Sequence, residues 1–235
     1  MTNFRRRDLL TGTALILISE TVAPGGVVAS ELPQASRARE WLFLTSSEGA
    51  MVEALADRII PPDPQTPGGA AAGCAVFIDR QLAGPYGRQE GLYNRPPFVK
   101  GIKQQGPQSA KSPAEFYRSA LAALDRYCRS QPGAKPWVEL SPERQDEILQ
   151  GLESSTISLE GEDGKTFFEA LLKDVQEGFF ADPIYGGNRD MCSWKMIGFP
   201  GARYDYRDWV GRHNERYPHP PVSIAGRADW TPKKL

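Results

Sequence analysis

The chain has 235 residues, of which 40% are hydrophobic, and 28 Lys and Arg stand against 29 Asp and Glu for a formal net charge of −1 at pH 7. That length accommodates one domain with a real core, or at most two small ones. So even a balance gives no electrostatic reason to expect nucleic-acid binding, which demands a clustered basic face, and it argues against a polybasic membrane surface.

At the N-terminus, Arg5-Arg6-Arg7-Asp8-Leu9-Leu10 precedes a short apolar run. A twin arginine, one intervening residue and two large apolar residues are the layout of the twin-arginine export signal, whose guanidinium groups are read by a receptor. Arg6, Arg7, Leu9 and Leu10 are its candidate recognition residues. The run from Leu9 to Ser19 is diluted by Thr11, Gly12 and Thr13 and closed by Glu20, far short of the ~20 residues that span a bilayer. Pro24-Gly25-Gly26 then breaks the chain and Val27-Val28-Ala29 ends in small residues, which predicts cleavage after Ala29. An amphipathic helix that happens to begin with arginines accounts less well for this order. The expected organisation is therefore a signal peptide over 1–29 and a single domain over 30–235. Twin-arginine export carries folded proteins, so such a leader implies a cofactor or a partner acquired before export.

The chain's own cysteines do not supply that cofactor. Cys74, Cys128 and Cys192 show no C-x-x-C, no C-x-x-C-H haem motif and no paired zinc spacing. One disulfide with a cysteine left over and three buried, inert thiols both fit.

Helical signals follow. Thr45-Ser46-Ser47-Glu48 is a capping box, and Met51, Val52, Leu55 and Ile59 share one face behind it. Pro61-Pro62-Asp63-Pro64 stops this helix and opens a Pro/Gly/Ala loop to Gly73. Cys74, Phe77, Ile78 and Leu82 predict a second helix ending at Gly84-Pro85. Periodicity vanishes from Tyr86 to Lys111, a length of loop that is usually functional or mobile. Ser112-Pro113-Ala114-Glu115 caps a third helix with Tyr117, Leu121, Leu124 and Cys128 inward; Ser141-Pro142 opens a fourth with Ile148, Leu149 and Leu152. Thr166 to Glu169 opens a fifth, with a stripe of Phe168, Leu171, Leu172, Val175 and Phe179. Strand-like alternation is nearly absent. The expected fold is all-α: an irregular domain of about five helices, long Gly/Pro-rich loops and an extended aromatic C-terminal segment.

That segment, residues 178–210, is dominated by glycine, proline and aromatics. Gly186-Gly187-Asn188 permits positive φ and fits a tight turn better than an anion-holding amide nest. Tyr185, Trp194, Phe199, Tyr204, Tyr206 and Trp209 are too many large aromatics to leave in water, so they pack on the chain's own core or on another protein. Trp194, followed by Lys195-Met196-Ile197, fits either. Asp182, Asp190, His213 and His219 could move protons, but none is spaced as a base beside a nucleophile. Two histidines lack a third metal ligand, and Ser193 has no nucleophile elbow around it.

These residues carry a resemblance. The leader Arg6-Arg7, the helix ending in Ile59-Ile60-Pro61, and above all Gly178-Phe179, Asp182-Pro183, Tyr185-Gly186-Gly187-Asn188, Trp194 and Gly198-Phe199-Pro200-Gly201 are similar to the gluconate 2-dehydrogenase subunit 3 family. The resemblance implies a non-catalytic small subunit without catalytic residues, metal or cofactor of its own. A large flavoprotein subunit would hold FAD and oxidise a sugar, sugar acid or polyol. A multihaem cytochrome c subunit would pass the electrons to the membrane quinone. The small subunit would bind the flavoprotein and carry it through the twin-arginine export machinery to the periplasm, where the complex sits on the cytoplasmic membrane. Partner contact would fall on Phe179, Asp182, Tyr185, Gly186, Gly187, Asn188, Trp194, Gly198, Pro200, Gly201 and Trp209, with Trp194, Tyr185 and Trp209 as anchors. Two other readings fit the same residues: a free-standing exported enzyme using the Tyr185–Asn188 loop, and an escort for a different cofactor protein such as a molybdoenzyme. The substrate of the complex is not encoded in these residues.

Overall fold

A computed structural model describes residues 41–91, 96–99, 101–102 and 109–226. The export motif at Arg6, Arg7, Leu9 and Leu10, the cleavage pattern ending at Ala29 and the expected boundary between residues 29 and 30 lie outside them. The described residues form seven helices and no strand: α1 (Ser46–Ile59), α2 (Gly69–Ala72), α3 (Cys74–Ala83), α4 (Pro113–Ser130), α5 (Pro142–Glu153), α6 (Gly164–Phe180) and α7 (Cys192–Ile197). The expected all-α class holds. None of these helices is long and apolar enough to cross a membrane.

The helix starts follow from local chemistry. Thr45 and Glu48 exchange both bonds of a capping box, Ser112 and Glu115 do the same, and Ser141 caps α5, with Pro113 and Pro142 in the first helical turn. The fifth predicted helix begins earlier than expected. Asp163, not Thr166, is the cap of α6, its carboxylate accepting the Thr166 N–H at 3.1 Å. Gly164 then fits against Leu152, where a Cβ would lie 2.7 Å from the leucine methyl. The buried stripe of α6 is correspondingly turned: Phe167 is wholly enclosed, edge-on to Phe116 and Tyr117, while Phe168 is only half-buried. Helix α2 occupies part of the stretch where proline, glycine and alanine predict a loop. Its signal is tertiary: Asp57 on α1 accepts the Ala70 N–H at 2.8 Å, and Gly69 nestles 2.5 Å from the Ala56 carbonyl, measured to where a Cβ would stand.

Helix α6 is the central post. It packs most extensively on α3 and α5 and also touches α1, α2, α4 and α7. Around it the core collects Val52, Leu55, Ile78, Leu121, Leu124, Ile148 and Leu152, which are the predicted inward residues. Arg58 forks onto Asp146 at 2.7 and 2.5 Å and ties α1 to α5.

Two buried carboxylates interrupt this apolar interior. Asp79 on α3 accepts the backbone N–H groups of Leu42, Phe43 and Leu44 at 2.8, 2.9 and 2.8 Å. Arg118 backs the same segment, donating to the Phe43 carbonyl at 2.8 Å and lying over its ring, while pairing with Glu48. Asp174 on α6 accepts the Tyr117 hydroxyl at 2.5 Å. Burial raises the Asp174 carboxyl to about 6, outweighing the opposing pull of the tyrosine hydrogen bond.

Asp79→Ala should strip three amides of their acceptor and lower stability by about 3 kcal/mol or more, read as a shift in the urea midpoint. Asp174 acts in the opposite sense to an ordinary paired carboxylate. Its native form holds a proton more tightly than the unfolded chain, so the stability it contributes is complete below about pH 4 and lost as pH rises through about 6. Asp174→Asn should therefore gain on the wild type by about 2 kcal/mol between pH 4 and pH 7 in paired unfolding curves.

Candidate partner-binding face

After α6 the chain doubles back over the end of that helix, and small or polar residues allow it. Asp182 caps a 3-10 turn over Pro183–Tyr185 by accepting the Ile184 N–H at 3.0 Å. The same carboxylate takes the Ser223 hydroxyl at 2.6 Å and the Ile224 N–H at 2.7 Å, so it pins a segment some forty residues away. Gly186, at φ 102°, sets its carbonyl against Gly73, where a Cβ would be only 2.6 Å away. Gly187 lies on α6 itself; any Cβ there would overlap the Gly178 carbonyl. The Gly186 N–H is spent on the Pro183 carbonyl at 3.0 Å, which makes Tyr185–Asn188 a packed turn.

Asn188 is fully enclosed and spends both ends of its amide. Its Nδ2 donates to the Ala181 carbonyl at 2.9 Å, and its Oδ1 accepts the Ser193 N–H at 3.0 Å and the Ser193 hydroxyl at 2.8 Å. It thereby caps α7 from four residues before the helix, although its own φ is +43°. Trp194 on α7 is 6% exposed; its indole N–H donates to the Phe180 carbonyl at 2.9 Å, an acceptor left over at the end of α6. Phe199 stands edge-on to it at 5.1 Å. Gly198, at φ 71°, ends α7, and Pro200 and Gly201 meet Val222, whose N–H reaches the Pro200 carbonyl at 3.2 Å.

The predicted residues thus divide. Phe179, Asp182, Gly187, Asn188 and Trp194 are buried within the chain and hold the segment on α6. Tyr185 is half in solvent. Trp209 belongs to a separate cluster with Tyr206, Tyr217 and His219. What faces outward is a set that, Phe199 aside, sequence reasoning does not single out: Phe180, Ile184, Met196, Ile197 and Phe199 join Tyr185 at 44% to 57% exposure. Their signal was faint, because an exposed apolar residue is recognisable only once its neighbours are known to be satisfied.

Chemistry is poorly served here. The Asp182 carboxylate has three donors on it, and the Ser193 hydroxyl is committed to Asn188. All three cysteines are free thiols. Burial pushes Cys74 up to about 12 and Cys128 to about 11, and raises Cys192 as well, which makes them weak nucleophiles. Among the described residues, no three His, Cys, Asp or Glu side chains group as metal ligands.

A family model described as Gluconate 2-dehydrogenase subunit 3 matches residues 46–201, from the first residue of α1 to the glycine that meets Val222. No curated protein and no solved structure matches the chain.

The close approach on α6 is directly testable. Gly187→Ala should push the turn off Gly178, cost about 3 kcal/mol, and open residues 182–201 to limited proteolysis while the α1–α6 fragment stays resistant.

Proposed function

The chain belongs to the gluconate 2-dehydrogenase subunit 3 family, small subunits of dehydrogenase complexes, and from that premise we propose that it is the non-catalytic escort subunit of an FAD-dependent dehydrogenase. In this proposal a large flavoprotein subunit oxidises a sugar, sugar acid or polyol, and a multihaem cytochrome c subunit takes the electrons onward. FAD and haem c reside in those partners. The present chain binds the folded flavoprotein in the cytoplasm and brings it through the twin-arginine route to the periplasm, where the complex associates with the membrane.

The observation that carries this reading is the outward face of residues 180–199. Six large apolar side chains stay half-exposed on a segment whose own backbone and polar groups are held from beneath by Asp182, Asn188 and Trp194. A protein that spends buried hydrogen bonds to hold apolar residues toward solvent presents a docking surface. An obligate contact of this kind covers roughly 2,000 Å² or more, apolar at its centre. Tyr185 and Phe199 supply the aromatic anchors, since large aromatics dominate such interfaces. The leader supports the second half of the reading, because a signal for folded cargo on a chain without a cofactor motif calls for a folded passenger.

Two experiments bear on it. Replacing Ile184 and Ile197 by aspartate should abolish co-purification of the flavin-bearing subunit without unfolding the helical body, since both side chains are already about half-exposed. Replacing Arg6 and Arg7 by lysine should strand dehydrogenase activity in the cytoplasm. Normal periplasmic activity in the lysine variant, or substrate turnover by the isolated chain, would count decisively against the proposal.

A further inference from the structure

The three cysteines divide by neighbourhood. Cys128 sits near the end of α4, where the charges acting on it come from Asp125, Arg144 and Arg129. Cys74 and Cys192 belong elsewhere. Each is the first residue of a helix, α3 and α7, and the backbones that lead into those two helices meet. Gly73, at φ 87°, comes so near the Gly186 carbonyl that a Cβ on it would stand 2.6 Å away. Helix α2 ends at Ala72, just before Cys74, and touches the 3-10 turn over Arg189–Met191, whose next residue is Cys192.

The side chains follow the backbone. Cys74 is wholly enclosed, and Cys192, half-buried, packs on the same core. After burial, the charge on Cys192 is the next cause of the upward shift of the Cys74 thiol, so the two sulfurs lie within electrostatic reach of each other. Neither is held by a strong partner. The Cys192 thiol has only a long 3.7 Å contact to Asn188 Oδ1, an atom already taken by the Ser193 N–H and hydroxyl.

We infer that Cys74 and Cys192 are a redox pair, joined by a disulfide that braces α7 against the start of α3, with Cys128 left as the odd thiol. The reaction is thiol–disulfide exchange with a disulfide-bearing oxidant, a protein disulfide or oxidised glutathione. The more accessible Cys192 thiolate attacks one sulfur of that disulfide and forms a mixed disulfide, expelling the other sulfur as a thiolate. The Cys74 thiolate then attacks the Cys192 sulfur, and the oxidant leaves as its second thiol. The two protein thiols lose two electrons and two protons, and the oxidant's disulfide takes up both. Burial holds both thiols protonated at neutral pH, so the exchange is slow on the folded chain and accelerates as pH rises. The oxidising compartment proposed for the chain favours the bonded form. Its effect falls on Met196 and Ile197, which α7 presents on the outward face. A cross-link that closes so long a stretch of chain also removes much of the freedom gained on opening.

The test takes the full folded chain, oxidises it with glutathione disulfide at mildly alkaline pH, alkylates the remaining thiols and maps the peptides without reduction. The expected product is a monomer with Cys74 linked to Cys192 and Cys128 alkylated. Limited proteolysis within residues 182–201 should slow about ten-fold in that product and return to its starting rate on reduction with dithiothreitol. Cys128→Ser should keep the bond and the protection. Cys192→Ser should lose both while melting at the temperature of the reduced wild type, which separates a missing bond from a damaged fold. A bond to Cys128, a dimer linked through Cys192, or thiols that stay alkylatable or carry only glutathione would overturn the pairing. A Cys74–Cys192 bond that leaves cleavage unchanged would overturn the bracing role. Each result is read without a flavoprotein, so the docking proposal stands or falls separately.

Discussion

The C-terminal half of the molecule depends on how near two backbones can come at Gly178. A side chain at that position would press on Phe77, and one at Gly187 would collide with the Gly178 carbonyl. Because neither carries one, the chain can turn back at Asp182 and lie along the helix it has just left. Asn188 and Trp194 then take up the Ala181 and Phe180 carbonyls that the end of α6 leaves over. Without that approach, α7 would lose its cap, and the outward face would lose the surface it is built upon. Two glycines thus set the position of six apolar side chains that are not glycine's neighbours in any chemical sense.

Polar side chains in this protein work mainly as fasteners for irregular backbone. Asp79 holds the stretch before α1, Asp57 holds α2, Asn188 holds α7 and Asp182 holds both the turn after α6 and the returning C-terminal segment. A chain with 23 glycines and 20 prolines leaves many amides outside helices, and each buried one requires an acceptor. Short side chains with oxygen acceptors meet that need wherever water is excluded. Asp174 differs, since its partner is the Tyr117 hydroxyl and its position in the apolar interior favours the protonated acid.

How much of this was legible beforehand depended on range. Caps at Thr45, Ser112 and Ser141 involve amides three residues away, so their sequence pattern is their mechanism. Inward faces of α1, α3, α4 and α5 follow from periodicity for the same reason. The start of α6 was misplaced because Asp163 and Thr166 both offer an oxygen, and only the fit of Gly164 on Leu152 chooses between them. Helices α2 and α7 were invisible, being capped by Asp57 and Asn188 from outside. In the candidate site, Phe179, Asp182, Gly187, Asn188 and Trp194, expected at the partner contact, pack within the chain instead, because glycines and aromatics at that density must pack on something. The outward half was harder to read, since Ile184, Met196 and Ile197 look in sequence like ordinary core residues, yet the fold leaves them about half-exposed.

The grip of Asp79 on residues 42–44 has a mechanical meaning. Whatever draws on the chain ahead of Trp41 transmits its tension through three hydrogen bonds to a single carboxylate, and from there into the middle of α3. Part of the load thereby passes beyond the first turn of α1, where a helix frays most readily, and arrives at an element braced along α6. Towing from the N-terminal end would therefore haul on the best-supported part of the fold instead of unravelling it from its tip.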